Sequence, residues 1–211
     1  MNIAIIQTGI ANVASVLVAF ERLKTNPRIV RTPNEIDERD AVVLPGVGSF
    51  AAGLTNLRQN GWTDLLCSRI EEDRPLLAIC LGLQMLCRSS DEAPGVPGLG
   101  VLPVTVDNLP DSVALPHFGW NSITSDSAAI PKGFVYYANS FGITNYKPLI
   151  NASWDVATTE YGTRFVAAVQ RNSILACQFH PELSGAFGSK IIERWLKMSQ
   201  RRLGREEGVS C

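Results

Sequence analysis

Residues 75–86 read Pro-Leu-Leu-Ala-Ile-Cys-Leu-Gly-Leu-Gln-Met-Leu, and the interpretation of the whole chain starts from them. The apolar run predicts a buried strand that ends at Cys80, and a helix-forming segment begins directly after it. Cys80 is therefore predicted to lie in a tight strand-to-helix turn. The first amides of such a helix point toward the cysteine and the helix dipole favours an anion there, which promotes the reactive thiolate.

This turn is similar to the Gly-x-Ser-x-Gly elbow that exposes a nucleophilic serine. Cys80 takes the place of the serine and Gly82 follows it, whereas Ala78 stands where the first glycine would be. The alternative is a buried structural cysteine, because a free cysteine packs well as a small hydrophobe. Other parts of the chain favour the nucleophile.

Composition indicates one compact domain. The chain has 211 residues, 45% of them hydrophobic and 18% charged, and its formal net charge is −1. We predict a single domain over residues 1–198, followed by a polar tail at 199–211 that is expected to fray. There is no excess of basic residues that would point to nucleic acid as a partner. No apolar run approaches the roughly 18 residues of a membrane span, so a cytoplasmic protein is expected.

The cysteines suggest neither a disulfide framework nor a metal site. There are five of them, an odd number, with no Cys-x-x-Cys pair and no zinc-like spacing to His117 or His180. No metal and no organic cofactor are expected.

The order of elements predicts an α/β protein whose second half is rich in β-structure. Strands at 2–6, 28–30, 41–44 and 76–80 alternate with helical segments, which is typical of a parallel sheet with helices on both faces. Short strands are then predicted near 101–106, 118–125, 134–138, 154–160, 164–170 and 174–179, and a last helix at about 186–198.

A base for the cysteine is offered by His180-Pro181-Glu182 at the end of the last predicted strand. Proline at 181 favours an extended backbone at His180, and residues two apart in an extended segment project to the same side. The Glu182 carboxylate can then contact one imidazole nitrogen, leaving the other free to face a thiol. Taken alone, such a histidine is more often a satisfied loop residue. The cysteine turn makes the catalytic interpretation the stronger one.

A third strand end carries Pro45-Gly46-Val47-Gly48-Ser49. Glycines there let the backbone present N–H donors to a developing oxyanion, and the amide of Leu81 is a natural second donor. An ordinary β-to-α turn is the alternative. A phosphate loop is not favoured, because no Gly-Lys-Ser/Thr follows.

These motifs carry a family resemblance. The residues around Cys80 resemble the cysteine motif of class I glutamine amidotransferases, and His180 and Glu182 resemble their histidine and glutamate. The resemblance implies a three-layer fold, with a mostly parallel central sheet flanked by helices, and a catalytic triad of Cys80, His180 and Glu182. It further implies that backbone amides of Val47, Gly48 and Leu81 hold the oxyanion.

Within that class, the motifs at 44–50, 116–121 and 178–182 look like those of the glutaminase branch that serves imidazole glycerol phosphate synthase. This likeness implies glutamine as substrate, contacts to it from Gly46 and Gln84, and a heterodimer with a separate cyclase in histidine biosynthesis. It implies no cofactor, no nucleic acid and no membrane.

Some positions depart from the family pattern, namely Gln7, Asn139 and Leu183, the last where a basic residue commonly meets the cyclase. They leave open a paralogue with another ammonia acceptor. His117 is interpreted as a packed polar anchor near the docking face, and Trp120 and Met85 as core residues.

Two functions of other kinds also remain open. One is a stand-alone Cys-His-Glu enzyme such as a γ-glutamyl hydrolase or a small peptidase-like protein. The other is a subunit that only binds and regulates its partner, against which the intact Cys80, His180 and Glu182 argue.

Overall fold

The computed structural model describes residues 1–8 and 12–207. In this part of the chain, helices lie on both faces of a central sheet. The strands are β1 (Asn2–Ile6), β2 (Asn26–Val30), β3 (Ala41–Gly46), β4 (Leu76–Cys80), β5 (Cys87–Ser90), β6 (Leu102–Asn108), β7 (His117–Ser125), β8 (Gly133–Asn139), β9 (Phe141–Gly142), β10 (Asp155–Tyr161), β11 (Thr163–Arg171) and β12 (Ile174–Cys177). The helices are α1 (Val13–Arg22), α2 (Phe50–Gln59), α3 (Trp62–Glu71), α4 (Leu81–Leu86), α5 (Lys147–Asn151) and α6 (Gly185–Glu207).

The central sheet has nine strands in the order β2-β1-β3-β4-β12-β11-β10-β7-β8. It is mixed: the five strands from β2 to β12 run parallel, and each later neighbour is antiparallel to the one before it. Most strands of the β-rich second half therefore extend the parallel sheet, while β6 and β9 form a small separate sheet with β5 in the order β5-β6-β9. Strand β12 joins the halves, because it pairs in parallel with β4 and closes the predicted hairpin with β11.

Two apolar layers enclose the sheet, as the predicted three-layer α/β architecture requires. Alternate residues of β1, β3 and β4 face opposite ways. One set packs against α2, α3 and α4, and the other packs against α1 and α6. Trp62 of α3 and Trp195 of α6 are the largest fully buried side chains of these layers. Burying a large apolar side chain stabilises the fold by about 1.5–3 kcal/mol.

The predicted end of the last helix was wrong. Helix α6 continues to Glu207, and the Ser199 hydroxyl donates to the carbonyl of Trp195 one turn earlier. Residues 199–207, predicted as part of a frayed tail, are therefore helical, and 208–211 lie outside the described residues. The short elements β5, β9 and α5 were not predicted. None of the helices described is long and apolar enough to cross a membrane.

Candidate active site

The strand-to-helix turn predicted at Cys80 is present. Strand β4 ends at Cys80, α4 begins at Leu81, and Cys80 has φ 53° and ψ −110°. A positive φ is uncommon for a residue with a side chain and is often held in place at functional sites. Gly82 is required for close packing, because a Cβ there would lie 2.2 Å from the carbonyl oxygen of Leu44. Close backbone packing at Gly82 therefore fixes the turn that carries the Cys80 thiol.

The glycine-containing end of β3 lies directly beside this turn. Gly46 pairs in register with Cys80, and a Cβ on Gly46 would lie 2.9 Å from the amide nitrogen of Gly82. Gly48 has φ 95°, a conformation that glycine adopts readily. Val47, Gly48 and Leu81 line the same cavity as Cys80. These three residues therefore border the cavity that holds the sulfur.

His180 and Glu182 reach the same place from β12, the neighbour of β4. The imidazole Nδ1 lies 2.8 Å from Oε1 of Glu182, and the two side chains are only 7% and 6% exposed. The predicted histidine–carboxylate contact is confirmed. The backbone differs from the prediction after His180, because Pro181–Leu183 form a single 3₁₀ turn. His180 itself is extended, as expected before proline.

The electrostatics of His180 favour its charged form. Burial opposes the imidazolium, but the hydrogen bonds and negative charges of Cys80 and Glu182 outweigh this and raise the pKa of His180 to about 10. By contrast, burial raises the pKa of the Cys87 and Cys177 thiols. Those two cysteines stay neutral and unreactive, whereas Cys80 lies beside an imidazolium.

A cavity of about 400 Å³ opens over the sulfur. Besides Cys80 and His180, its lining includes Gln84 on α4, Glu92 and the segment 138–141 at the end of β8. Glu92 was not predicted. Its Oε2 accepts from the amide of Phe50 at 3.0 Å, and the linear sequence offered no signal for a contact between residues 42 apart.

Gln178 is a second residue that sequence reasoning missed. Its side chain is fully buried, and its amide nitrogen lies 3.6 Å from Sγ of Cys80. A signal was present, because Gln178 precedes His180 by two residues and so projects to the same side of an extended segment.

The structure also locates the other residues that the sequence analysis singled out. His117 is packed between the rings of Tyr137 and Tyr161, with centroids 4.9 and 3.8 Å away, and Met85 is fully buried. Trp120 is not a core residue, because it is 56% exposed on the solvent side of β7. Of the departures from the family pattern, Asn139 is buried in the cavity wall and Leu183 is exposed. Gln7 accepts from the Arg31 guanidinium.

Chemically, the site places a thiol beside an imidazole–carboxylate pair in an open cleft, which suits nucleophilic attack on a carbonyl carbon. Among the side chains that the structure describes, no group of three or more His, Cys, Asp or Glu is placed to hold a metal ion.

Comparison with known proteins identifies the family to which this chain belongs. The family model "Glutamine amidotransferase class-I" matches residues 4–198, so the chain belongs to the class I glutamine amidotransferases. Within that family it is similar to imidazole glycerol phosphate synthase subunit HisH of Escherichia coli (strain K12), with 36% identity over 94% of this chain and 100% of that protein. The corresponding subunit of Prochlorococcus marinus is 38% identical over 93% of this chain and 94% of its own length.

A plant relative and the solved structures complete the comparison. The chain is 36% identical to "Imidazole glycerol phosphate synthase hisHF, chloroplastic" of Arabidopsis thaliana, covering 92% of this chain but only 34% of that longer protein. Among solved structures, a crystal structure of a glutamine amidotransferase has a TM-score of 0.73 with 17% identity, covering 94% of this chain and 98% of its own. At that identity it supports the fold alone.

Proposed function

We propose that this chain is a glutaminase that hydrolyses glutamine and delivers the ammonia to a separate cyclase, which makes imidazole glycerol phosphate and AICAR in histidine biosynthesis. The observation that carries the proposal is the buried contact of His180 with Glu182 next to Cys80 at the strand-to-helix turn. The naming of HisH relatives as synthase subunits supports the choice of pathway.

The proposed reaction has two halves. The Cys80 thiolate attacks the side-chain carboxamide carbon of glutamine, and amides of Val47, Gly48 and Leu81 stabilise the oxyanion. His180 gives its proton to the departing nitrogen, so ammonia leaves and a glutamyl thioester remains on Cys80. His180 then takes a proton from water, which attacks the thioester, and glutamate leaves as the thiol is restored. Glu182 orients the imidazole and stabilises its charge throughout.

The polar groups of the cavity wall suit the other end of glutamine. Gly46 lies at the strand end beside Cys80, and Gln84 lines the cavity with an amide whose oxygen can accept from the substrate. We assign the Glu92 carboxylate to the α-ammonium group of the substrate, because opposite charges in a partly buried cleft attract strongly. Its bond to the Phe50 amide, at the start of α2, keeps Glu92 oriented toward the cavity.

The partner surface that we propose is an exposed aromatic face, defined as Phe118, Trp120 and Phe134. These side chains are 67%, 56% and 63% exposed, and the β7–β8 register places all three on one side of the sheet edge. Exposed aromatic clusters of this kind mark interaction sites. Phe118 also lines the cavity, so a subunit bound here would meet the mouth through which ammonia leaves. The occupant that we propose is the cyclase, forming a heterodimer.

Ammonia release is proposed to depend on the acceptor. Peptide groups around Gly46 and Gly48 can turn at small energetic cost, so a donor needed for the oxyanion can face away in the resting chain. Loss of one such donor reduces rate by about 10²–10³. A cytoplasmic location fits this chemistry, because reducing conditions keep Cys80 a free thiol.

Steady-state assays of three mixtures test the proposal: the chain alone, the chain with the cyclase, and both with the nucleotide acceptor. We expect little glutamate release in the first two and a large rise in kcat in the third. Full activity of the isolated chain would instead support a stand-alone hydrolase. Activation only by a different synthase and its acceptor would identify a paralogue.

A further inference from the structure

A short chain of amide groups connects the cavity wall to the nucleophile. Gln84 Nε2 donates to the carbonyl of Phe141 at 3.3 Å and to Oε1 of Gln178 at 3.1 Å. Gln178 Nε2 in turn lies 3.6 Å from Sγ of Cys80. The side chains of Gln84 and Gln178 are almost fully buried.

The donor and acceptor roles in this hydrogen-bond network follow from the Phe141 carbonyl at its end. The Phe141 carbonyl can only accept, so the Gln84 amide must turn its NH₂ group toward it and toward Gln178. Gln178 must then present its oxygen to Gln84, and its own NH₂ group faces the sulfur. The orientation of Gln178 is therefore set by the network, which resolves the usual ambiguity of amide side chains.

We propose that Gln178 is a further catalytic residue that stabilises the Cys80 thiolate, and that Gln84 holds it in the donating orientation. A donor hydrogen-bonded to the charged form of a group favours that form, and the effect is larger where water is excluded. An apolar side chain would fill this position without the penalty of burying an amide. The inference rests on the proposed function, since it takes Cys80 as the nucleophile.

The test measures the thiolate directly. Alkylation of Cys80 by iodoacetamide is followed as a function of pH by peptide mapping, using the isolated full-length chain without glutamine. Gln178→Met keeps the length of the side chain but removes the donor. We expect its alkylation midpoint to move up by about one pH unit, with alkylation about tenfold slower below that midpoint.

Gln170→Met is the matched control. Gln170 is also a buried glutamine, and its Nε2 donates to a sulfur atom, that of Met198, at 2.9 Å. The same substitution there should leave the Cys80 profile unchanged. A second variant, Gln84→Met, leaves Gln178 in place and removes the group that orients it, so its shift should be in the same direction but smaller.

Identical profiles for Gln178→Met and the wild type would overturn the inference, and so would an equal shift in Gln170→Met. If Gln178→Met does not fold, an unshifted Gln84→Met profile overturns the orienting role and a shifted one supports it. Failure of the proposed function looks different: no glutamate would form in any mixture with the cyclase, while the alkylation shifts would still appear.

Discussion

The buried site and the aromatic face meet at one cavity, yet they differ in solvent exposure and in whether this chain supplies their contacts. The side chains of Cys80, His180 and Glu182 are buried and His180 contacts the other two, so this chain supplies their partners itself. Phe118, Trp120 and Phe134 are each more than half exposed to solvent. The difference suggests that one subunit supplies the catalytic side chains, whereas the surface is complete only in the assembly.

The two regions are nevertheless linked by hydrogen bonds. Strand β8 carries Phe134 and Tyr136, and the Tyr136 carbonyl accepts from the amide of His180 at 2.9 Å. The Tyr136 amide donates to the hydroxyl of Ser184, which itself donates to the carbonyl of His180. The Tyr136 ring also packs edge-on against Trp120. Substitutions that separate turnover from association therefore have to spare this backbone connection.

Cys80→Ala should separate the regions most completely. We expect no detectable glutamate formation, because the nucleophile is gone, while the fold persists, since alanine meets the same positive φ that cysteine already accepts. Binding to the cyclase and synthesis from added ammonium salt should be unchanged. The measurements are glutamate release and titration of the complex. Wild-type-like glutaminase in this variant would end the proposed mechanism.

Within the buried site, His180→Ala should reduce kcat far more than Glu182→Gln. The histidine transfers protons in both half-reactions, whereas the carboxylate orients the imidazole at 2.8 Å. In a comparable serine-protease triad, loss of the carboxylate reduces kcat about 10²-fold less than loss of the histidine. Single-turnover glutaminase assays of both variants, in complex with cyclase and acceptor, measure the ratio. Equal losses would give Glu182 a more direct chemical role.

Trp120→Ala should affect the other region alone. Tryptophan is enriched among interface hot spots, which contribute about 2 kcal/mol or more, so we expect the dissociation constant of the complex to rise about 30-fold. Its kcat at saturating cyclase should change little. Ile150→Ala is the control, because Ile150 is also an exposed large hydrophobe but belongs to α5. Equal weakening by both substitutions would remove the aromatic face as the docking surface.

The same comparison explains what was predictable from sequence. The turn at Cys80 and the contact of His180 with Glu182 are encoded within a few residues each, so periodicity and local backbone rules were sufficient. Trp120 was misassigned because hydrophobicity predicts burial in the isolated chain. Trp120 lies on the surface that we propose another subunit covers, so its hydrophobicity does not lead to burial within this chain. Glu92 and Phe50 are 42 residues apart in sequence, so only the folded arrangement reveals their contact at the cavity.

The pH dependence of stability should distinguish the two histidines. The pKa of His180 is raised to about 10, so its stabilising contribution is fully present below the unfolded value of about 6.5 and is lost as pH rises toward 10. The free energy of unfolding of wild type minus that of His180→Gln should therefore fall over this range, by an amount on the order of a few kcal/mol. Urea denaturation at several pH values measures it.

His117→Gln is the control for that experiment. Burial lowers the pKa of His117, so its effect on stability should appear as pH falls below about 6.5 and not above it. The free energy of unfolding of wild type minus that of each variant is compared between pH 6.5 and 10. If this difference declines equally for His180→Gln and His117→Gln, the buried charge of His180 is not the cause of the decline.

The smallest effect is expected at Leu183, an exposed leucine at the position where the sequence resemblance implies a basic residue. Charges at the rim of an interface mainly steer association, so this complex should show little salt dependence in its on-rate. Leu183→Lys should steepen that dependence by a few-fold between low and physiological salt, because screening acts over about 10 Å at 0.1 M. Ile150→Lys adds the same charge on α5 and should change it less. Stopped-flow binding at several salt concentrations gives the slopes, and indistinguishable slopes for the two lysine variants would place Leu183 outside the interface.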